Sequence, residues 1–174
     1  MNECVGIVVT WTIILFLLTS CASRDFKDEF ETEKNWLEQL SQLPDYPDEK
    51  NMIEFDTGSI TDYRHAIDRK SIEIGQDGVI RFTLVTRSPA GAMNVSYEGI
   101  RCDTHERKLY AIGRADRTWS LPNQSRWQPL DFIRQFYAQR ELAQNMFCPH
   151  KQIVNSRQEA IRALKEGMHP DIFN

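Results

Sequence analysis

The sequence predicts an α+β fold in which an antiparallel β meander of about four or five strands precedes C-terminal helices. Two observations lead to this prediction. Residues 52–114 alternate apolar and polar side chains between turns rich in glycine and proline, whereas helical spacing returns only after residue 130. Strands that come first and helices that come afterwards favour α+β over an alternating α/β fold. An amphipathic helix near the N-terminus is predicted in addition.

An uncharged apolar run, Val5 to Leu18, lies near the start of the chain. Its 14 residues suit the apolar region of a signal peptide and are few for a membrane-spanning helix. The tetrapeptide Leu18-Thr19-Ser20-Cys21 resembles the lipobox of bacterial lipoproteins. This resemblance implies cleavage before Cys21, a lipid on its sulfur and, since no aspartate follows, an outer-membrane location. Residues 1–20 contain no Lys or Arg, so an uncleaved membrane anchor is the alternative.

An acidic tether is predicted over residues 21–50, between the signal peptide of residues 1–20 and a folded domain of residues 51–174. Residues 25–56 hold 11 acidic and 3 basic residues, so the alternative is that this segment lies against the basic body of its own domain. Within the tether, four apolar residues fall on one face at helical spacing, which predicts an amphipathic helix over residues 25–41. These four residues are Phe26, Phe30, Leu37 and Leu40.

The strands of the meander follow from the alternation of apolar and polar residues along each segment. In one of them, Ile80, Phe82 and Leu84 share a face. The sequence Gly75-Gln76-Asp77-Gly78 predicts a hairpin turn, because glycine accepts the positive φ that such turns require. The predicted strands are Met52–Phe55, Ser71–Ile74, Val79–Arg87, Met93–Cys102 and Lys108–Arg114.

Two helices are predicted after an irregular stretch of residues 115–130. Helical spacing covers Asp131 to Phe147. The last helix has the stronger signals, because Ser156-Arg157-Gln158-Glu159 forms a capping box and Gly167 stands at the end. These two helices complete the predicted α+β domain.

Several classes of function lack their sequence signature. The glycines of Gly75-Gln76-Asp77-Gly78 are not followed by the lysine and helix of a phosphate-binding loop. Gly58-Ser59-Ile60 lacks the second glycine of a hydrolase nucleophile elbow. Residues 57–174 hold 17 basic and 13 acidic residues, an excess too small to indicate nucleic-acid binding. No catalytic residue, cofactor, resident metal or nucleic-acid partner is therefore predicted.

Cys102 and Cys148 are the cysteines that remain after Cys4 and Cys21 are assigned to the signal peptide and the lipid site. In an oxidising compartment a disulfide between them is expected. Closing a loop of this length stabilises a domain by about 4 kcal/mol through the entropy of the unfolded chain. Two alternatives stay open at this stage. Cys148-Pro149-His150 resembles the start of a redox motif, and Cys102, His105, Cys148 and His150 have the ligand count of a zinc site.

A set of aromatic and arginine residues in the meander is the candidate interaction surface, because tyrosine, tryptophan and arginine are enriched at protein interfaces. The alternative is that these residues form an ordinary half-buried sheet face. The set consists of Tyr97, Arg101, Tyr110, Arg114, Trp119 and Trp127.

The blocks "VSYEGIRC" and "YAIGRADRTW", which end at Cys102 and Trp119, resemble the cryptic neisserial protein-like family. The resemblance covers roughly residues 50–166 and implies a short proteobacterial envelope protein with no established activity. It also implies the pairing of Cys102 with Cys148. The layout is similar, more distantly, to surface-adhesin protein E domains, which favours binding over catalysis.

Together, these features lead us to expect a non-enzymatic lipoprotein, anchored by lipid on Cys21 and facing the periplasm, with a binding or scaffolding role. We expect it to contact the membrane through that lipid and to bind a protein partner of the envelope. The alternatives are a surface-exposed adhesin-like module and a thiol or zinc protein that uses Cys148 and His150.

Overall fold

A seven-stranded antiparallel sheet forms most of the protein in the computed structural model, which describes residues 36–58, 61–131 and 133–173. The strands pair in the order β1-β2-β3-β4-β5-β6, and β7 also pairs with β5. This arrangement confirms the α+β class and the antiparallel meander, with more strands than the sequence predicted. The strands are β1 (Met52–Phe55), β2 (Arg64–Ile74), β3 (Val79–Arg87), β4 (Met93–Arg101), β5 (Glu106–Gly113), β6 (Trp119–Ser120) and β7 (Gln128–Pro129).

The β2–β3 hairpin turns at the predicted glycines. The Gly75 amide donates a hydrogen bond to the Val79 carbonyl over 2.9 Å. Gly78 has a φ of 77°, a left-handed conformation that glycine adopts without a steric penalty. The local turn signal in the sequence therefore located this hairpin correctly.

Strand β2 is longer than predicted, since it begins at Arg64 rather than at Ser71. A bulge lies between Asp68 and Glu73. There the Ser71 hydroxyl accepts a hydrogen bond from the Thr83 amide and donates one to the Asp68 carbonyl, each over 2.7 Å. The serine side chain thus takes the place of main-chain ladder bonds at the bulge. Similarly, the stretch predicted as irregular, residues 115–130, contains the short strands β6 and β7.

One face of the sheet, here called the helix face, packs on the C-terminal helices. Helix α1 (Tyr137–Glu141) continues directly into a π-helical turn, Leu142–Phe147, and α2 (Arg157–Glu166) follows. The rings of Phe82 and Phe147 meet across this layer with centroids 5.4 Å apart. Burial of one such side chain stabilises the fold by roughly 1.5–3 kcal/mol. The helix face is formed by Ile67, Ile80, Phe82, Leu84 and Ile100.

Helix α2 begins and ends where its sequence signals predict. The Ser156 hydroxyl accepts from the Glu159 amide over 3.2 Å, and the Glu159 carboxylate accepts from the Asn155 amide over 2.8 Å. The first bond is that of the predicted capping box, and the return bond goes to the residue that precedes the N-cap Ser156. Gly167 ends the helix with a φ of 76°. The Glu159 carboxylate also lies 2.8 Å from Nε2 of His169, which is buried.

The predicted disulfide between Cys102 and Cys148 is confirmed, with 5.3 Å between the two Cα atoms. Cys102 follows β4 and Cys148 follows the π-helical turn, so the bond joins the sheet to its helical layer. Both residues are buried in the apolar core. The bridge therefore adds its constraint to the same layer that carries most of the apolar burial.

The opposite face of the sheet is crossed by residues 37–48, here called the strap, which contain neither helix nor strand. The helix predicted over residues 25–41 is therefore wrong at its end, and its part before residue 36 lies outside the described residues. Leu37–Asn174 forms one compact unit, so the strap packs with the sheet although the sequence assigned residues 21–50 to a tether.

A one-turn 3₁₀ helix, Glu49–Asn51, connects the strap to β1. Within the described part of the chain, no helix has both the length and the apolar character that crossing a membrane requires. The predicted signal peptide, with its apolar run Val5 to Leu18, and the predicted lipid site, Cys21, both lie outside the described residues.

Candidate functional site

The candidate site is the face of the sheet beneath the strap, here called the strap face. Along each strand, the residues of the strap face alternate with those of the helix face, because successive side chains of a strand point to opposite sides of the sheet. Thr83 of β3 stands opposite Tyr97 of β4, and Gly99 of β4 stands opposite Lys108 of β5. Tyr110 lies over Gly99, where a Cβ atom would come within 2.7 Å of the tyrosine ring. The strap face is formed by Arg81, Thr83, Tyr97, Lys108 and Tyr110.

Three donors of the domain converge on the Glu38 carboxylate of the strap. Nζ of Lys108 and the hydroxyl of Tyr110 each donate to it over 2.7 Å, and Nε1 of Trp127 donates over 3.4 Å. Lys108, Tyr110 and Trp127 are called the carboxylate cradle below. Burial acts to raise the pKa of Glu38, but these hydrogen bonds and the Lys108 charge outweigh it and lower that pKa. The carboxylate is therefore held in its charged form.

The cradle is itself ordered by ring contacts. Nζ of Lys108 lies 5.4 Å from the ring centroid of Tyr110 and 5.7 Å from that of Trp127, within cation–π range. The two rings meet edge to face with centroids 6.5 Å apart. Burial and the neighbouring Glu38 raise the pKa of Tyr110, so its hydroxyl keeps the proton that it donates.

The main chain of the strap is bound beside the cradle. The Gln39 amide donates to the Asp77 carboxylate over 2.8 Å, and Nη2 of Arg81 donates to the Gln39 carbonyl over 2.9 Å. Arg81 and Asp77 form an ion pair over 2.6 Å, with the Arg81 side chain inaccessible to solvent. Burial acts to raise the pKa of Asp77, yet its hydrogen bonds from Arg81 and Gln39 lower it. Asp77 and Arg81 together bind the main-chain amide and the main-chain carbonyl of Gln39.

The rest of the strap follows the aromatic residues of the same face. The Ser41 hydroxyl donates to Glu73 over 2.7 Å and lies 2.9 Å from the Tyr97 hydroxyl. Farther along, Nε1 of Trp119 donates to the Pro44 carbonyl over 2.8 Å. Polar contacts with the sheet thus hold the strap from Glu38 to Pro44.

The structure brings most of the predicted interaction surface together, beneath the strap. Tyr97 is buried, with 2% of its surface exposed, while Tyr110, Trp119 and Trp127 donate to or pack against strap residues. Arg114 takes part through its carbonyl, which accepts from the Tyr46 hydroxyl of the strap over 3.1 Å.

Arg101, the sixth residue of the predicted set, pairs with Asp103 over 2.8 Å. The aromatic part of the predicted surface, Tyr97, Tyr110, Trp119 and Trp127, is therefore at least half-buried and in contact with the protein's own chain. The residues that sequence reasoning missed are Glu38, Asp77, Arg81 and Lys108. The alternation of residues along β3 and β5 located the strap face itself, but no local pattern in the sequence indicated the individual contacts with the strap.

The two cysteines and two histidines of the alternative zinc or thiol site do not come together as ligands. Both sulfurs are joined in the disulfide. Nδ1 of His105 lies 3.3 Å from Asp131, and Nε2 of His150 lies 2.9 Å from the Asp171 carbonyl. Among the residues that the structure describes, no group of three or more His, Cys, Asp or Glu is placed to hold a metal ion.

A second polar cluster lies on the other side of the sheet, among the helices. The Glu98 carboxylate accepts from Nη2 of Arg107 over 3.1 Å and from the side-chain amide Nε2 of Gln139 over 2.9 Å. The Arg107 guanidinium also lies 4.4 Å from the centroid of the Phe136 ring. These buried groups satisfy one another, so we assign them a structural role.

The comparison with protein families matches residues 31–165 to the model of the CNP1-like family. The chain belongs to the CNP1-like family. The matched region includes the strap, the face beneath it and α2 almost to its end. No curated protein and no solved structure matches the chain.

Proposed function

We propose that this CNP1-like protein is a non-enzymatic binding or scaffolding protein of the bacterial envelope. In this proposal Cys21 carries the lipid anchor at the outer membrane, and residues 22–174 face the periplasm. The single observation that carries the binding role is the strap. The sheet holds this extended segment through its main chain and one carboxylate, which is how a polypeptide-binding surface recognises a ligand.

The location rests on two features that agree. The lipobox-like sequence before Cys21 fits an exported lipoprotein, and the Cys102–Cys148 disulfide fits an oxidising compartment. The non-enzymatic role is supported by the contacts of Cys148 and His150, the residues of the alternative thiol or zinc site. Cys148 is bonded to Cys102, and His150 contacts the Asp171 carbonyl, which leaves neither arranged with a nucleophile or base.

The first test is the intact mass of the protein extracted from membranes and alkylated without reduction. We expect a chain that starts at Cys21, carries the mass of acyl groups, and has two cysteines protected from alkylation. Cys21→Ala should lose the acyl mass and keep the protected pair. An unacylated chain that starts at residue 1 would contradict the lipoprotein proposal, and two alkylated cysteines would contradict the oxidised compartment.

The second test concerns the binding role and the side of the membrane. A photo-crosslinking residue at position 40, which is almost fully exposed, should give a discrete product with an envelope protein in living cells. The same residue at position 165, on the exposed side of α2, is the matched control. Cleavage of the protein by protease added to intact cells would contradict the periplasmic location and favour the surface-exposed adhesin-like module.

A further inference from the structure

The strap turns the polar side chains of Glu38 and Ser41 to the sheet and its leucines to the solvent. Leu37 is 82% exposed and Leu40 is 99% exposed, although leucine is normally among the most buried residues. Between residues 37 and 44 the half-buried positions recur at every third residue, at Glu38, Ser41 and Pro44, and each position of 46–48 is half-buried or buried. A period of three is that of an extended polyproline II-type segment, which docks on aromatic-lined surfaces.

The strap fits the face incompletely. Nε of Arg81 and the hydroxyl oxygen of Thr83 are buried beneath it and have no hydrogen-bond partner among the described residues. Buried polar atoms of native proteins are usually paired. A segment that supplied acceptors to these two atoms would therefore bind the face better than the strap does.

The carboxylate cradle is carried by the sheet and not by the strap. Lys108 and Tyr110 belong to β5, and Trp127 directly precedes β7, which pairs with β5 through Gln128 and Arg107. The main chain that carries the three donors therefore belongs to the sheet and does not depend on the strap. The face combines this cradle with main-chain recognition at Asp77 and Arg81 and with the Trp119 donor that meets the Pro44 carbonyl.

From these observations we propose that the strap face is a binding site for an extended polypeptide segment of a partner protein. The segment carries a glutamate for the carboxylate cradle and, six residues later, a proline beside Trp119. Residues 37–47 occupy this site as a tethered internal ligand. This inference deepens the proposed binding role and rests on it, because it names the ligand class of the same surface.

Tethering determines how the site responds. A segment linked to its own site acts at a high effective concentration, so a free segment competes poorly. The apparent affinity for a free segment falls with the fraction of molecules whose site is open. Weakening the strap must therefore strengthen binding of a free segment, whereas a purely structural strap has no such effect.

The test uses a labelled synthetic peptide with the sequence of residues 37–47, LEQLSQLPDYP, titrated against the full oxidised chain purified from membranes. Glu38→Gln in the chain removes the charge that the cradle binds, so the peptide should bind that variant about 10-fold more tightly than wild type. Adding Lys108→Met should reverse the gain. A peptide with glutamine in place of its glutamate should bind about 10-fold more weakly.

Two controls separate this result from nonspecific binding and from misfolding. Lys165→Met makes the same substitution on the exposed side of α2 and should leave the peptide affinity unchanged. Tyr110→Phe removes one donor of the cradle and keeps its ring, so it tests the site if Lys108→Met fails to fold. Peptide binding should also increase the hydrogen-exchange rate of the Gln39 amide, because the displaced strap loses its bond to Asp77.

Equal peptide affinity in wild type and Glu38→Gln, or binding without faster exchange at Gln39, would overturn the proposal. A dimer of the Glu38→Gln chain with exchanged straps would overturn it as well, in favour of binding between copies. Failure here would leave the acylated mass and the crosslinked partner of the proposed function intact. Conversely, an unacylated chain without partners would reject that function while peptide binding still succeeded.

Discussion

The two faces of the sheet are held by different forces. The helix face buries an apolar layer against α1, the π-helical turn and α2, and the Cys102–Cys148 bond crosses that layer. The strap face buries an ion pair, tyrosines and a lysine under an irregular segment whose leucines face solvent. Apolar burial is strong and nondirectional, whereas hydrogen bonds exchange with those of water at small net gain. The comparison assigns stability to the helix face and exchangeable binding to the strap face.

The largest effect should come from removing a ring on the helix face. Phe147→Ala leaves a cavity beside Phe82 and should lower the free energy of unfolding by about 3–5 kcal/mol. Leu40→Ala, the matched apolar truncation on the strap, should change it by less than about 0.5 kcal/mol, because Leu40 is exposed. Denaturant unfolding of the two variants measures both values. Equal losses would remove the distinction between the faces.

The second comparison neutralises one buried carboxylate on each side. Glu98→Gln leaves the Arg107 charge buried without a counter-charge and should cost about 3 kcal/mol in global stability. Glu38→Gln should cost about 1 kcal/mol or less, since its partners are partly exposed to water. Denaturant unfolding again gives the values. A larger loss at Glu38 would mean that the strap is part of the folding core.

A smaller and local effect is expected at the far end of the strap. Trp119→Phe removes the indole donor to the Pro44 carbonyl and keeps an aromatic ring against Tyr46, whose centroid lies 5.4 Å from that of Trp119. The opening of the strap should become about 1 kcal/mol easier, without a change in global unfolding. Hydrogen exchange of strap amides, compared with that of amides in β3, measures the difference. Uniformly faster exchange in both regions would contradict a local effect.

The smallest effects are those of pH, and they should differ between the faces. Burial lowers the pKa of His65, whose ring nitrogens contact Tyr137 of α1 and Thr86 of β3. Because the unfolded chain binds this proton first, the free energy of unfolding should fall as the pH drops below the usual histidine value of 6.5.

Glu38 changes the free energy of unfolding in the same direction as the pH falls, but for a different reason and in a lower pH range. Its pKa is lowered in the folded chain, so its contribution is present above the usual value of 4.5 and is lost as the pH falls below it. Unfolding curves across these two ranges, together with strap-amide exchange, measure the two steps. In His65→Gln the step near pH 6.5 should vanish and the acid step should persist. A step near neutral pH that survives in that variant belongs to another group.

Signals that act within a few residues predicted the parts of the fold that they control. The Ser156 capping box, the Gly167 end of α2 and the Gly75–Gly78 hairpin all depend on neighbours close in sequence. The disulfide was predictable for another reason, since two cysteines in an oxidising compartment leave one pairing. Alternation of residues in β3 also located both of its faces.

The individual contacts of the strap could not be predicted, because the partners of its residues lie far away in the sequence. Glu38 bonds to Lys108 and Tyr110, 70 and 72 residues later. Locally, the spacing of Leu37 and Leu40 fits a helix and a three-residue extended period equally well over so short a stretch. The first half of β2 was missed because His65 to Asp68 are buried on both faces, which removes the alternation that marks a strand.

The position of the strap ahead of β1 has a mechanical consequence. A pull on the chain from the N-terminal side of residue 37 loads the bonds of Glu38, Gln39, Ser41 and Pro44 one after another. Bonds loaded in series yield at lower force than strands sheared side by side, so the strap peels away first. The segment between Cys102 and Cys148 meanwhile stays closed by a covalent bond. Tension alone would then uncover the carboxylate cradle while β2 to β5 remain folded.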